Sequence, residues 1–333
     1  MSNVIDSIDP EKSSFVYFAP QHVHSPLQPM EKFLTKYEWI LDLNRRRYAA
    51  MVSALDEMIG DVIKLYEQKG LLKNTVGWFV ADNGGETRDG GNNWPLSGQK
   101  WTLLEGGVRA TGFLFGGKIP KKSAQFTDLV HVSDIMPTLL DAAGCKTKYK
   151  NPIDGVSHWD RLSGKSVRAV REEILHNIDP TKNNTVTNDA RVWNSNWDVR
   201  IQAAIRWQHW KLITGDPGFT DGAVPEYPVL PPEWNNTATK LTPPVNQNTG
   251  RPLNKNDFKF PVNKKLVHLY NIMADPTEST DLSNHFPSIV VQLLDRLLYY
   301  NSTMIPPQLP NLDPNSDPRN HNGFWFPWLT DTP

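Results

Sequence analysis

Cysteine is almost absent from this chain: Cys145 is the single thiol in 333 residues, which excludes an intrachain disulfide framework and a cysteine-based zinc site. A surplus of one charge is missing as well. Lys and Arg number 35 against 36 acidic residues, and the net charge of -1 gives no basic field for nucleic acid or an anionic membrane. Any anion bound here has to be held by a local site. No run approaches the roughly 20 apolar residues that span a bilayer, and Met1 to Pro10 hold no basic cluster followed by an apolar stretch. What is present is the composition of a globular protein, 38% hydrophobic and 21% charged, enough for one large core or two modest ones.

The first apolar run, Ser14 to Ala19, is β-branched and aromatic and predicts a strand stopped by Pro20, although little precedes it to pair with. Apolar residues from Tyr48 to Tyr66 recur at spacings of three and four, predicting a helix over Asn44–Gly70 with Gly70 as its stop. Strands are expected at Val76–Ala81 and Val108–Phe115, and a helix from Ser133, as N-cap, through Ala143. This order describes an α/β layer. Beyond about residue 165 proline rises and candidate strands Glu173–Asn177, Ile201–Trp207, Trp210–Thr214 and Leu266–Tyr270 follow without helices between them. They predict a smaller antiparallel domain, residues 166–333 against 1–165, closed by a helix over Pro287–Tyr300 and by an aromatic clasp, Phe324 to Trp328, folded back on the body.

Asp82-Asn83 falls at the carboxyl end of a predicted strand, where open α/β sheets place their ligands, and offers a carboxylate and an amide oxygen suited to a hard cation. The same Asp-Asn-Gly-Gly segment also reads as a plain turn. An EF-hand is excluded because Gly84 occupies its third position. Lys100 precedes the pair Gly106-Gly107, whose missing side chains permit close approach of backbone to a ligand; alone, it is equally a solvated surface charge. His24 follows the first predicted strand, where an imidazole can bind an anion or protonate a leaving group, or can simply lie on the surface. Trp94 and Trp101 can stack on a sugar ring or fill a core. Asn183, Asn235 and Asn301 each begin an N-x-S/T triplet, a glycan acceptor in a secreted protein.

Taken in order, His24-Ser25-Pro26-Leu27-Gln28, residues 44–61, Ala81–Gly85, Gly91–Arg109, His131-Val132-Ser133-Asp134 and Leu175-His176-Asn177-Ile178-Asp179 resemble the sulfatase family, in its arylsulfatase B-like branch. The resemblance implies an alkaline-phosphatase-like α/β fold whose sheet lies between helices, N-terminally incomplete here, with a smaller C-terminal antiparallel α+β domain. It implies Ca²⁺ on Asp82 and Asn83, with His24 and Lys100 on the sulfate. It also implies hydrolysis of a sulfated amino sugar of glycosaminoglycans, or of aryl sulfates, in a lysosomal or secreted protein. The family's nucleophile is a formylglycine made in a C-x-P-S-R-like motif, and no such motif occurs in these residues; Cys145 lies in Cys145-Lys146-Thr147-Lys148 and does not fit it. The expectation is therefore a partial calcium site in a chain inactive by itself, or else a non-catalytic product that binds sulfated glycans. A superfamily relative acting on phosphate or phosphonate esters is the third option.

Overall fold

The computed structural model of the chain describes residues 2–119, 124–145, 149–183, 193–218, 265–308, 313–325 and 328. Two short helices, α1 (Ser2–Asp6) and α2 (Glu31–Leu34), precede the long helix α3 (Leu43–Gln68). The Asp42 carboxylate caps α3 by accepting from the Arg45 N–H at 2.7 Å. Gly70, at φ +68, ends it in the left-handed conformation that glycine adopts without penalty. Ala50 and Ala54 are buried under Phe33 of α2. Farther along the helix the predicted stripe is only half-buried: Leu55, Ile59, Val62 and Tyr66 line an open basin of about 4440 Å³.

Strand β1 (Gly77–Val80) pairs antiparallel with β2 (Gly112–Phe115), Gly77 opposite Phe115 and Val80 opposite Gly112. A Cβ on Gly77 would lie 2.2 Å from the Phe115 ring, so the glycine makes room for that aromatic. Between the two strands the chain forms a long loop and one turn of helix, α4 (Glu105–Val108), which takes the start of the predicted strand at Val108. Helix α5 (Ile135–Ala142) starts two residues later than expected, after a 3₁₀ turn (Val132–Asp134), and its N-cap position is Asp134 rather than Ser133. The turn itself is capped by His131: the imidazole accepts from Ser133 N–H and the Asp134 carboxylate accepts from His131 N–H. Asp134 is fully buried, held by His158 Nε2 at 3.1 Å and by the Arg171 guanidinium at 2.8 and 2.5 Å. Although burial opposes ionisation, these donors hold its carboxyl far below the usual range. Helix α6 (Trp159–Leu162) follows His158 directly.

The second sheet is antiparallel in the order β3 (Glu173–Asn183), β4 (Ile201–Trp207), β5 (Trp210–Thr214) and β6 (Val267–Asn271). One face carries Ile178, Ala203, Ile205, Leu212, Val267 and Leu269 against α7 (Pro287–Thr303), which buries Val290, Leu293, Leu294 and Leu297. Each such side chain contributes about 1.5–3 kcal/mol when fully buried. Glu173 bolts β3 to α7 through Arg296 (3.0 and 2.8 Å) and Tyr300 (2.7 Å). The opposite face packs Ala204, Ile213, Tyr270 and Ile272 onto Leu103 and Leu104 of the loop before α4.

Two further sequence expectations fail. Residues 14–19 form no strand, and Phe15 and Tyr17 are 78% and 83% exposed. The run favours extended backbone, but a strand is completed by ladder partners, and none is present among the described residues. The aromatic clasp does not close either. Phe324 and Trp325 stand in solvent, Phe326 and Pro327 lie outside the described residues, and Trp328 is fixed by its indole N–H to Asp313 Oδ2 at 2.8 Å.

Candidate active site

The site is assembled by two glycine-rich loops locked together by backbone. After β1 the chain enters Ala81-Asp82-Asn83-Gly84-Gly85, and Gly84 N–H donates to the Gly107 carbonyl at 2.9 Å. A Cβ on Gly84 would sit 1.7 Å from the Gly106 carbonyl oxygen. A Cβ on Gly106 would lie 2.5 Å from the Ser97 and Gly98 carbonyl oxygens, and one on Gly107 would lie 2.4 Å from those of Gln99 and Thr102. The glycine pair thus serves loop-to-loop packing, a correction to the expectation that it clears space for a ligand. Asn93 completes the frame: its Oδ1 accepts from Gly85 N–H at 2.8 Å, and its Nδ2 donates to the Gly85 and Gly98 carbonyls at 2.9 and 3.2 Å. Lys100 is thereby held at a fixed place relative to Asp82 and Asn83.

His24 comes to the same place from 76 residues away, with Lys100 Nζ 3.3 Å from His24 Nε2. His24 Nδ1 donates to the Ser25 carbonyl at 2.8 Å, which assigns the neutral ring its tautomer and leaves the Nε2 lone pair to accept from Lys100. His24, Asp82, Asn83 and Lys100 all line the basin. Asp82 is exposed, and Asn83 Nδ2 donates to the Gly84 carbonyl at 2.8 Å, which turns its amide nitrogen away from ligation and leaves its oxygen as the available donor. A carboxylate and an amide oxygen side by side fit a hard divalent cation. They are a minority of the roughly six to eight oxygens that Ca²⁺ takes, and no group of three or more acidic, His or Cys side chains suited to a metal occurs among the described residues.

Beneath the loops lies a cluster that sequence reading missed. Lys211 of β5, fully buried, places Nζ 3.0 Å from Glu105 Oε1 and 2.8 Å from Glu278 Oε1. Glu278 Oε2 also accepts from Glu105 N–H at 2.6 Å, and Arg206 Nη1 stands 3.5 Å from Glu105 Oε2. One ammonium cannot fully neutralise two buried carboxylates, and the burden falls on Glu278. Burial pushes its carboxyl up to about 7 against the pull of Lys211, whereas in Glu105 the nearby Lys211, Arg206 and Arg109 outweigh burial and lower it. The available signal was strand alternation, which puts Lys211 on the face opposite Leu212 and so against the loops. His176 lines the basin at a bulge between Leu175 and Asn177; burial, with Lys211 and Arg206 nearby, holds its imidazole well below the usual range.

The glycan triplets are scattered: Asn301 is half-buried in α7, Asn183 ends β3, and Asn235 lies outside the described residues. Cys145 is exposed just past α5. Trp101 is 61% exposed while Trp94 is half-buried.

Comparison with known proteins decides the family. The sulfatase family model matches residues 1–145, and Arylsulfatase J of Mus musculus is 38% identical over 330 residues, 98% of this chain and 52% of that protein. The chain belongs to the sulfatase family. N-acetylgalactosamine-6-sulfatase of Rattus norvegicus is 29% identical over 152 residues, covering 43% of this chain and 27% of the relative. This sulfatase chain therefore spans about half the length of Arylsulfatase J and less of the other relative. Among solved structures, Ps i-CgsB in complex with k-i-k-neocarrahexaose aligns with TM-score 0.58 at 21% identity, over 84% of this chain and 48% of that one. A sulfatase from a Bacteroides thetaiotaomicron locus for glycosaminoglycan metabolism aligns at 0.60 and 19%, over 91% and 53%. These likenesses show the fold, the alkaline-phosphatase-like α/β fold of sulfatases. No helix among the described residues is long and apolar enough to cross a membrane.

Proposed function

We propose that this chain supplies the cation-binding and sulfate-gripping half of a sulfuric ester hydrolase acting on sulfated carbohydrate, with aryl sulfates as artificial substrates. The observation that carries the reading is the meeting of Lys100 and His24, 3.3 Å apart, in the basin that also holds Asp82 and Asn83. Asp82 and Asn83 would hold Ca²⁺, whose charge offsets that of the sulfate oxygens and so eases nucleophilic attack at sulfur. Lys100 exchanges its bond to His24 for one to a sulfate oxygen, and its ammonium draws off developing charge. His24, once protonated at Nε2, is placed to donate to the oxygen of the departing alcohol. The nucleophile is not among these residues, and Cys145, in a lysine-rich segment past a helix end, does not supply it. The chain by itself is thus read as binding its ester without cleaving it.

Isothermal titration of the 333-residue chain tests this. Inorganic sulfate and 4-nitrophenyl sulfate bind in the presence of calcium. Lys100→Ala weakens both by about tenfold or more, the loss expected for a hydrogen bond to a charged group, and Asp82→Ala removes the calcium dependence. Equal affinity with and without calcium, or tighter binding of 4-nitrophenyl phosphate than of the sulfate, refutes the assignment.

A further inference from the structure

Trp101 adjoins Lys100, and three of its features are unusual for a tryptophan. The residue is 61% exposed; its backbone is left-handed at φ 79, a conformation that a bulky side chain rarely tolerates; and its indole N–H is pinned to Glu86 Oε2 at 2.9 Å. The exposure does not come from a loose loop. Thr102, Leu103 and Leu104 are buried, Leu103 N–H donates to the Pro217 carbonyl at 2.6 Å, and a Cβ on Gly218 would lie 2.5 Å from the Trp101 carbonyl oxygen. The backbone is clamped on both sides and the ring alone projects, into the basin lined by His24, Asp82 and Asn83. Lys100 Nζ stands 5.1 Å from the ring centroid.

We propose that Trp101 is a carbohydrate-stacking platform: the sulfate of a sulfated pyranose lies on Lys100 while the C–H face of the sugar ring lies on the indole. This rests on the reading of Lys100 as a sulfate contact and adds to it the side chain that receives the sugar ring. A rigid aromatic plane anchored by its polar edge recognises the alternately apolar and hydroxylated surface of a pyranose. With the ammonium this close to the ring, an ester seated on Lys100 brings its carbon skeleton to the indole. Inorganic sulfate has no such skeleton, so the two ligands separate the two roles.

The deciding experiment titrates N-acetylgalactosamine 6-sulfate and inorganic sulfate, in calcium, into the wild-type chain, Trp101→Gly and Trp101→Phe. Glycine suits a positive φ, so Trp101→Gly melts no lower than wild type; it binds the sugar sulfate about tenfold more weakly and inorganic sulfate with unchanged affinity. Trp101→Phe recovers part of the loss, because it restores an aromatic face. Sugar-sulfate affinity within twofold of wild type in Trp101→Gly overturns the platform and leaves the sulfate site standing, as does an equal loss for both ligands. A wild-type chain that binds neither ligand instead sinks the sulfate site itself, and the platform with it.

Discussion

Glu278→Gln tests the buried charge cluster through its pH dependence. Glu278 shares Lys211 with Glu105 and is fully buried, which pushes its carboxyl up to about 7 in the folded chain from an ordinary value of 4.5. The folded state therefore holds this proton more tightly than the unfolded state does. Its contribution to stability is complete below about pH 4.5 and disappears as pH rises through 7. At about 1.36 kcal/mol per unit, the loss between pH 5 and pH 8 comes to about 2.5 kcal/mol. His131 and His176 have lowered values, so their contributions move the opposite way, lost as pH falls. The wild-type profile is thus a composite, and the difference between wild type and Glu278→Gln isolates the carboxyl. Urea unfolding at half-unit steps from pH 5 to 8 should show the wild type losing about 2.5 kcal/mol relative to the glutamine variant across the range. Parallel profiles would refute the reasoning, because they would mean that Glu278 is ionised at the same pH folded and unfolded.

Gly84→Ala drives a methyl to 1.7 Å from the Gly106 carbonyl oxygen, and thermal melting should report a loss of several kcal/mol with calcium-dependent sulfate binding abolished. Asp134→Asn removes the charge that faces Arg171 and His158 in a fully buried setting, so urea unfolding at pH 7 should show about 3–5 kcal/mol less stability. The native carboxyl has a lowered value, so the wild type's advantage over this variant shrinks as pH falls below about 4. Leu294→Ala, at the contact between α7 and the second sheet, should cost about 2–5 kcal/mol in the same assay without altering sulfate affinity.

Elements whose formation depends on local periodicity were legible in the sequence. The spacing over residues 44–66 yields α3 within two residues at each end, and the run before Asp82-Asn83 yields a strand that places the pair at its carboxyl end. The helix expected over Pro287–Tyr300 is likewise α7, three residues longer at its carboxyl end. What depends on partners was not legible. Residues 14–19 have the residue types of a strand, but their sequence does not say what they pair with. The salt links of Lys211 and of Asp134 join residues 106 and 37 positions away, beyond any sequence period. At the site, Asp82, Asn83, Lys100 and His24 could be named, but the part played by Asn93 could not, because its value lies in three bonds to backbone that exist only once both loops are in place.

The joining of the two loops through main-chain atoms has a consequence for which positions around this site tolerate change. Side chains inside that seam are nearly irreplaceable, since even a methyl collides with a carbonyl. Arg88, exposed and outside the seam, can be exchanged alone, whereas Glu86 and Trp101 are joined by a hydrogen bond and change together. The rim can therefore vary while the frame that fixes Asp82, Asn83 and Lys100 relative to one another stays as it is.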